Sequence, residues 1–202
     1  LKFSSFIISI SGNNLIIALV LTMASSLILG MGLPTAAAYI LVATLTAPAL
    51  VTMGVDLMAA HMFVFYSAML SSITPPVALA AFAAAAISRE PPMRVAMISV
   101  KYGFVAFLLP YFFVLEPRLL LMGTLGEAIG VFLMAAIGIV TLACVLQGYA
   151  MGSLSWLMRT VLAVASLCLL MPEISLKIIG IAIILAILIA WKIGQTLKKD
   201  GA

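Results

Sequence analysis

Charge is what this sequence is short of. Of its 202 residues, 8% are Asp, Glu, Lys or Arg, against about 25% in an ordinary soluble domain. There is one histidine, His61, and there are two cysteines, Cys144 and Cys168. A nucleophile–histidine pair would have to be built on His61 alone, and no motif sets a serine or cysteine beside it. No HExxH pattern occurs, no carboxylates pair inside an apolar tract, and no Walker-type phosphate loop is present. Those gaps exclude the common hydrolytic chemistries and any ATP-driven step within this chain. Two isolated cysteines inside apolar runs read as packing residues, not as a disulfide or a metal site. The expectation is a protein that is not an enzyme and carries no cofactor. The net charge of +4 is spread over the ends of apolar runs, so it is a topology signal and not a nucleic-acid surface.

What is present is apolar length. Hydrophobic residues make up 66% of the chain and the mean hydropathy is +1.36. Several tracts exceed the roughly 20 apolar residues that cross a bilayer. The fold class is an all-α polytopic membrane protein, and its partner surface is the lipid bilayer. The opening "LKFSSFIISISG" has no initiator Met and no signal-peptide pattern. Its first apolar run is about half a span, so the chain reads as the C-terminal part of a longer protein.

The tracts carry their own breaks. Residues Phe3 to Val55 hold no charge, and Leu57 to Ser88 hold only His61. "SGNN", Ser11 to Asn14, reads as a turn with an Asn cap. An arm from Leu15 to Leu29 leads into "GMGLPT", and a second arm from about Thr35 to Leu50 ends near Pro48 and "MGVD". Each arm of about 15 residues reaches only about 23 Å, short of the ~30 Å hydrocarbon core. Two short arms meeting at a Gly-Pro tip predict a re-entrant helical hairpin. The next tract, Leu57 to Ile87, is interrupted at "SSITPP", Ser71 to Pro76. The expected organisation has five parts. Residues 1–12 end a preceding membrane helix, 13–53 form a re-entrant hairpin opening outward, and 54–88 form a broken transmembrane helix. Residues 89–123 form a cytoplasmic turn and a transmembrane helix kinked at Pro110. Residues 124–202 form C-terminal transmembrane helices, giving about four helices after the hairpin and broken helix.

With the C-terminal "LKKD" placed in the cytoplasm, inside segments hold Arg89, Arg94, Lys101, Arg159, Lys192, Lys198 and Lys199. Arg118 and Lys177 fall outside, and Lys2 is left unplaced. This distribution follows the positive-inside rule.

Non-helical backbone at membrane depth must face protein or a wet cavity, because lipid satisfies no N–H or C=O group. The prolines of "SSITPP" remove two donors and free carbonyls one turn earlier, near Leu70 to Ser72. Ser71, Ser72 and Thr74 add hydroxyls around Ile73, Pro75 and Pro76. At the tip, Gly30 and Gly32 allow tight backbone, and Pro34, after Leu33, frees a further carbonyl. Thr35 offers a hydroxyl that could cap the second arm. Facing each other, the two breaks offer neutral oxygens for sodium, with carbonyls near Gly32, Thr35, Ser72 and Thr74 as its ligands. Helix starts at Thr35 and Pro76 would present positive dipole ends to an anionic substrate. Each break alone also reads as a plain kink or loop. It is their pairing in adjacent uncharged tracts that points to a transport site.

His61 is an intramembrane ionisable group and hence a coupling candidate, or else a hydrogen-bonded helix–helix contact. Asp56 either caps the helix from Leu57 or takes part in coupling. Gly126 and Gly130 form a weak GxxxG packing signal. Trp156 and Trp191 fit interface belts.

Three stretches, "LGMGLPTAAAYILVATLTAPAL", "AHMFVFYSAMLSSITPPVALAAFAAAAIS" and "PYFFVLEPRLLLMG", together resemble the large permease component of TRAP (tripartite ATP-independent periplasmic) transporters. The "GLPT" and "AHMFVFY" wording resembles the fused, TAXI-type branch. The similarity covers about residues 25 to 125. It implies a symporter of the bacterial or archaeal cytoplasmic (inner) membrane, fed by a periplasmic TAXI-type substrate-binding protein. It also implies an elevator mechanism, a small organic anion (a carboxylate) as substrate, and sodium or a proton as coupling ion. The family builds its core from two inverted repeats. One unit is visible here, so the other hairpin and the scaffold are expected in an N-terminal remainder of the permease. The alternatives are a non-transporting scaffold or assembly subunit and the membrane subunit of an ATP-driven transporter. What separates them is whether the backbone leaves the helix at Met31–Pro34 and Ser72–Pro76.

Overall fold

The computed structural model describes residues 2–150, 152 and 154–200, with side chains described as far as Ile189. Ala202, where the C-terminus was placed in the cytoplasm, lies outside the described residues. The chain is helical and falls into two compact units, Leu1–Leu120 and Leu121–Ala202.

The first unit opens with α1 (Lys2–Ser11), α2 (Leu15–Gly30) and α3 (Thr35–Thr52). Asn14 starts α2 by accepting from the Ile16 and Ile17 amides at 3.0 and 3.2 Å, so two of the helix's four orphan donors are satisfied. Helix α3 runs through Pro48 to Thr52 and ends just before "MGVD". Pro48 has no amide to bond the Thr44 carbonyl. The next carbonyl, Leu45, is held by Ser4 on α1 at 2.8 Å, and Thr52 Oγ1 donates to the Pro48 carbonyl at 2.7 Å.

Asp56 caps α4 (Leu57–Leu70), accepting from the Met58 and Ala59 amides at 2.7 and 3.4 Å. A 3-10 turn, Ser71–Ile73, ends that helix, and the chain resumes as α5 (Leu79–Ser88). Helix α6 (Pro92–Leu115) packs back on α4 and α5. A short 3-10 segment, Pro117–Leu120, closes the unit. There Arg118 makes a two-pronged ion pair with Glu116 at 2.5 and 2.9 Å, and Glu116 is buried.

Small residues fill much of the core of this unit, around larger ones such as Leu19, Leu50 and Phe63. Ala18, Ala38, Ala49, Ala59 and Ala60 are wholly buried, while Ile16, Ile17, Ile28 and Ile40 face outward. This is the distribution expected where the solvent is lipid: small side chains let backbones approach, and large apolar ones meet the tails. Phe63 meets Tyr111 and Tyr66 meets Phe113 edge to face, with ring centroids 5.2 and 5.1 Å apart, tying α4 to α6.

The second unit is an antiparallel run of α7 (Leu125–Gln147), α8 (Trp156–Leu170) and α9 (Ile174–Asp200). Thr124 and Glu127 form a capping box on α7. At the far end of α7, Arg159 reaches back from α8 and donates to the Val145 and Leu146 carbonyls at 3.0 and 3.4 Å. The helices approach most closely at Gly138 and Gly180. A methyl group on Gly180 would lie 2.7 Å from the Ala165 carbonyl, and one on Gly138 would lie 3.2 Å from Leu170. Gly126 and Gly130, the GxxxG of the sequence, have no neighbour within 4 Å of that position. The packing signal was therefore misplaced, because spacing alone does not say which glycines face another helix.

Among the described residues, three helices, Thr35–Thr52, Pro92–Leu115 and Leu125–Gln147, are long and apolar enough to cross a membrane.

Candidate functional site

The two breaks meet. At the hairpin tip, α2 ends at Gly30, and residues 31–34 are non-helical before α3 begins at Thr35. At the broken helix, the 3-10 turn gives way to extended backbone at Thr74 (φ −93°, ψ 124°) and a cis peptide between Pro75 and Pro76. A methyl group on Gly30 would stand 2.7 Å from Ser71 Oγ and 3.3 Å from the Ala68 carbonyl. One on Gly32, whose φ is +79°, would stand 3.6 Å from Val77 Cγ1. The tip thus lies against the break along two contacts, and glycine is what permits the closer one. Ile73 in turn reaches α6, where its Cδ1 lies 3.1 Å from a methyl position on Gly103.

The hydroxyls at the break turn inward on their own helix. Ser71 Oγ donates to the Ala68 carbonyl at 2.6 Å, Ser72 Oγ to Met69 at 2.7 Å, and Thr74 Oγ1 to Leu70 at 2.8 Å. With its proton committed to a carbonyl, each hydroxyl keeps lone pairs for a further donor or a cation. The Ser71 carbonyl accepts from the Thr74 amide at 3.2 Å, and the Thr74 carbonyl from the Ala78 amide at 3.2 Å. The carbonyls of Gly32, Ser72 and Ile73 make no hydrogen bond among the described residues. Of the four carbonyl positions named for sodium, Gly32 and Ser72 therefore keep open oxygens. Thr74 spends its carbonyl on a turn, and the Thr35 carbonyl lies within the ladder of α3.

Two expectations need correction. Thr35 does not cap α3. The cap position falls on Pro34, which makes no side-chain hydrogen bond there, because helix begins at Thr35 itself. The Thr35 hydroxyl is exposed and makes no hydrogen bond among the described residues. Helix also does not resume at Pro76. Ala78 sits in the left-handed region (φ 37°) and α5 starts at Leu79, since the proline pair and the strained residue after it hold the backbone out of helix for longer.

His61 lies on α4 and is not part of this cluster. Its Nδ1 lies 2.9 Å from the Tyr39 hydroxyl, one turn into α3, so it makes a polar contact between hairpin and broken helix. Tyr39 also packs edge-on against Phe65 at 5.5 Å. Asp56 stands at the opposite end of α4 from the break, committed to its cap. Pro34 and Pro76 are exposed, whereas Ser71 is buried and Leu33, Ser72, Ile73, Thr74 and Pro75 are half-buried. No Asp, Glu, Lys or Arg occurs in residues 30–35 or 71–78. Val77, Gly103 and Tyr39 are contributors that sequence reasoning missed. Each is an ordinary residue whose role depends on its partner across space. Among the described residues, no cluster of three or more His, Cys, Asp or Glu could hold a metal ion.

The family model of the tripartite ATP-independent periplasmic transporter, DctM component, matches residues 1–128. The chain belongs to this family. Both breaks fall within the matched region, which extends just into α7. No curated protein and no solved structure matches the chain. Membership makes it a membrane component of a TRAP transporter, and such transporters work with a periplasmic binding protein. The class is one of transporters, not enzymes.

Proposed function

We propose that this TRAP permease component is the membrane part of an ion-coupled, secondary active importer of a small organic anion. The observation that carries the proposal is the contact of Gly30 with Ser71. It sets the hairpin tip at the level of a break that divides a 14-residue helix from a 10-residue one. In this reading the tip lies inside the membrane as the turn of a re-entrant hairpin opening outward, although α3, at 18 residues, exceeds the expected arm and is long enough to cross. The sodium ligands of this reading are the unbonded carbonyls of Gly32 and Ser72 and the hydroxyl oxygens of Ser72, Thr74 and Thr35, all uncharged. The open N-terminus of α3 supplies amide donors and a positive dipole end for a carboxylate. The TAXI-type branch, delivery by a TAXI-type binding protein, an N-terminal remainder holding the second repeat, elevator movement and the cytoplasmic (inner) membrane belong to the same reading. They rest on the sequence resemblance.

The Tyr39–His61 hydrogen bond favours a second reading of the coupling ion. In that reading the proton is taken up at His61 on α4, whose partner Tyr39 lies one helix turn along α3 from the tip. The test is uptake into proteoliposomes containing the permease and its binding protein, under separately imposed sodium and proton gradients. Sodium-driven accumulation supports the oxygen cluster, and proton-driven accumulation that is lost in His61→Gln supports the second reading. Uptake driven by neither gradient overturns both.

A further inference from the structure

The second unit holds a half-open cavity of about 570 Å³ lined by residues of α7, α8 and α9. Its walls include Ala136, Val140 and Cys144 of α7, Met158 and Leu162 of α8, and Ile184 of α9, and they are almost wholly apolar. Along α7 the lining runs from Ala136 to Cys144, about 12 Å at helical rise. A void of this kind in a bilayer is filled by lipid tails, which are as apolar as the leucines around them. Tail burial therefore gives no preference for one lipid over another, and any selection must come from the headgroup.

Charge supplies that selection. The antiparallel order puts the end of α7, the start of α8 and the end of α9 together. The start of α8 carries Arg159, and the sequence of α9 past Ile189, whose side chains lie outside the described ones, holds Lys192, Lys198, Lys199 and Asp200, while the other end of the bundle carries Glu127, Glu173 and Lys177. The cavity lies toward the cationic end, because its lining includes Ala150, Gly152 and Leu154 of the α7–α8 connection. Arg159 follows the lining residue Met158. Its Nε and Nη2 serve the α7 carbonyls, and Nη1 makes no hydrogen bond among the described residues. Position 192 lies one turn beyond the lining residue Leu188. We infer that this cavity is a binding site for one acyl chain of an anionic phospholipid, with the phosphate of the headgroup held at Arg159. The leaflet is the one that the charge bias assigns to the cytoplasmic side.

The experiment uses the full chain in phosphatidylcholine vesicles. These contain a minor fraction of a lipid with a photoactivatable group at mid-chain and either a phosphatidylglycerol or a phosphatidylcholine headgroup. Crosslinks mapped by mass spectrometry are expected at Val140, Cys144 and Ile184, with phosphatidylglycerol exceeding phosphatidylcholine about five-fold for each cation engaged. Ala136→Phe, which fills the cavity, is expected to reduce labelling there several-fold for both lipids. Arg159→Gln is expected to remove the preference, while Arg159→Lys retains it. If Arg159→Gln disturbs folding through the lost α7 cap, Ala136→Phe still decides, because it leaves that cap intact. Equal labelling by the two lipids overturns the inference, as does labelling indifferent to Ala136→Phe. Crosslinking through Cys144 to a second copy of the chain, in place of lipid, also overturns it.

Discussion

Gly30 is the residue on which the tip–break contact turns. A methyl group there meets Ser71 Oγ at 2.7 Å, and that oxygen is held by its own bond to Ala68. Gly30→Ala must either push the tip off the break or break the Ser71 bond, and overpacking of this sort costs about 1–3 kcal/mol. Uptake is expected to fall at least several-fold in Gly30→Ala at normal expression. Partial recovery is expected in the Gly30→Ala, Ser71→Ala double variant, where the obstructing oxygen is gone. Additive losses in that cycle would mean the two residues do not act through this contact. Thr74 is tested differently, because its hydroxyl ties the Leu70 carbonyl at 2.8 Å and is also the cation ligand we propose. A hydrogen bond to a charged group contributes roughly 1.5–3 kcal/mol. Thr74→Val is thus expected to raise the half-saturating cation concentration about 10- to 150-fold, and Thr74→Ser far less. Thr35→Val should act in the same direction, and Thr160→Val, on α8, should be near neutral. A purely structural Thr74 would lower protein yield and leave cation dependence where it was.

At the scale of the element, what the sequence disclosed was local chemistry. Asn14 and Asp56 are readable as caps because a cap bonds amides two and three residues ahead. The breaks at Gly30–Pro34 and Ser71–Pro76 are readable because proline removes a donor wherever it falls. The same local reasoning says nothing of how helix continues through Pro48 to Thr52, where Ser4 holds the Leu45 carbonyl. It failed at Thr35, where the cap fell one residue earlier on Pro34. What could not be read was partnership: that Gly30 finds Ser71, that Tyr39 finds His61, or that Gly180 rather than Gly126 is a packing glycine. Each depends on which helix face meets which. The difference is measurable in the second unit. Gly180→Ala sets a methyl group 2.7 Å from the Ala165 carbonyl, backbone that cannot rotate away. It is expected to lower the thermal midpoint by several degrees in detergent, whereas Gly126→Ala, with open space around it, should change it little or raise it slightly. Equal effects from the two would mean that α8 and α9 do not pack as closely as at Gly180.

At the scale of the whole molecule, orientation follows from counting crossings. Between the turn at Arg89 and the C-terminus lie α6, α7, α8 and α9. If all four cross, both ends lie on the same side, and the excess of Lys and Arg makes the cytoplasm the expected side. The helix that tests the count is α8. Its 15 residues reach about 22 Å, short of the ~30 Å core. Its crossing depends on the turns at either end reaching the interface: Trp156, 78% exposed at the start of the helix, and the Met171–Glu173 connection to α9. Reporter fusions after Ser88 and after Ala202 are expected to report the cytoplasm together. A third fusion after Gln147 should do so as well, and one after Met122 should report the outer side. Opposite sides for Ser88 and Ala202, with Gln147 agreeing with Ser88, would locate the missing crossing in α8 or α9. The cationic end of that bundle would then no longer be secured to the inner leaflet.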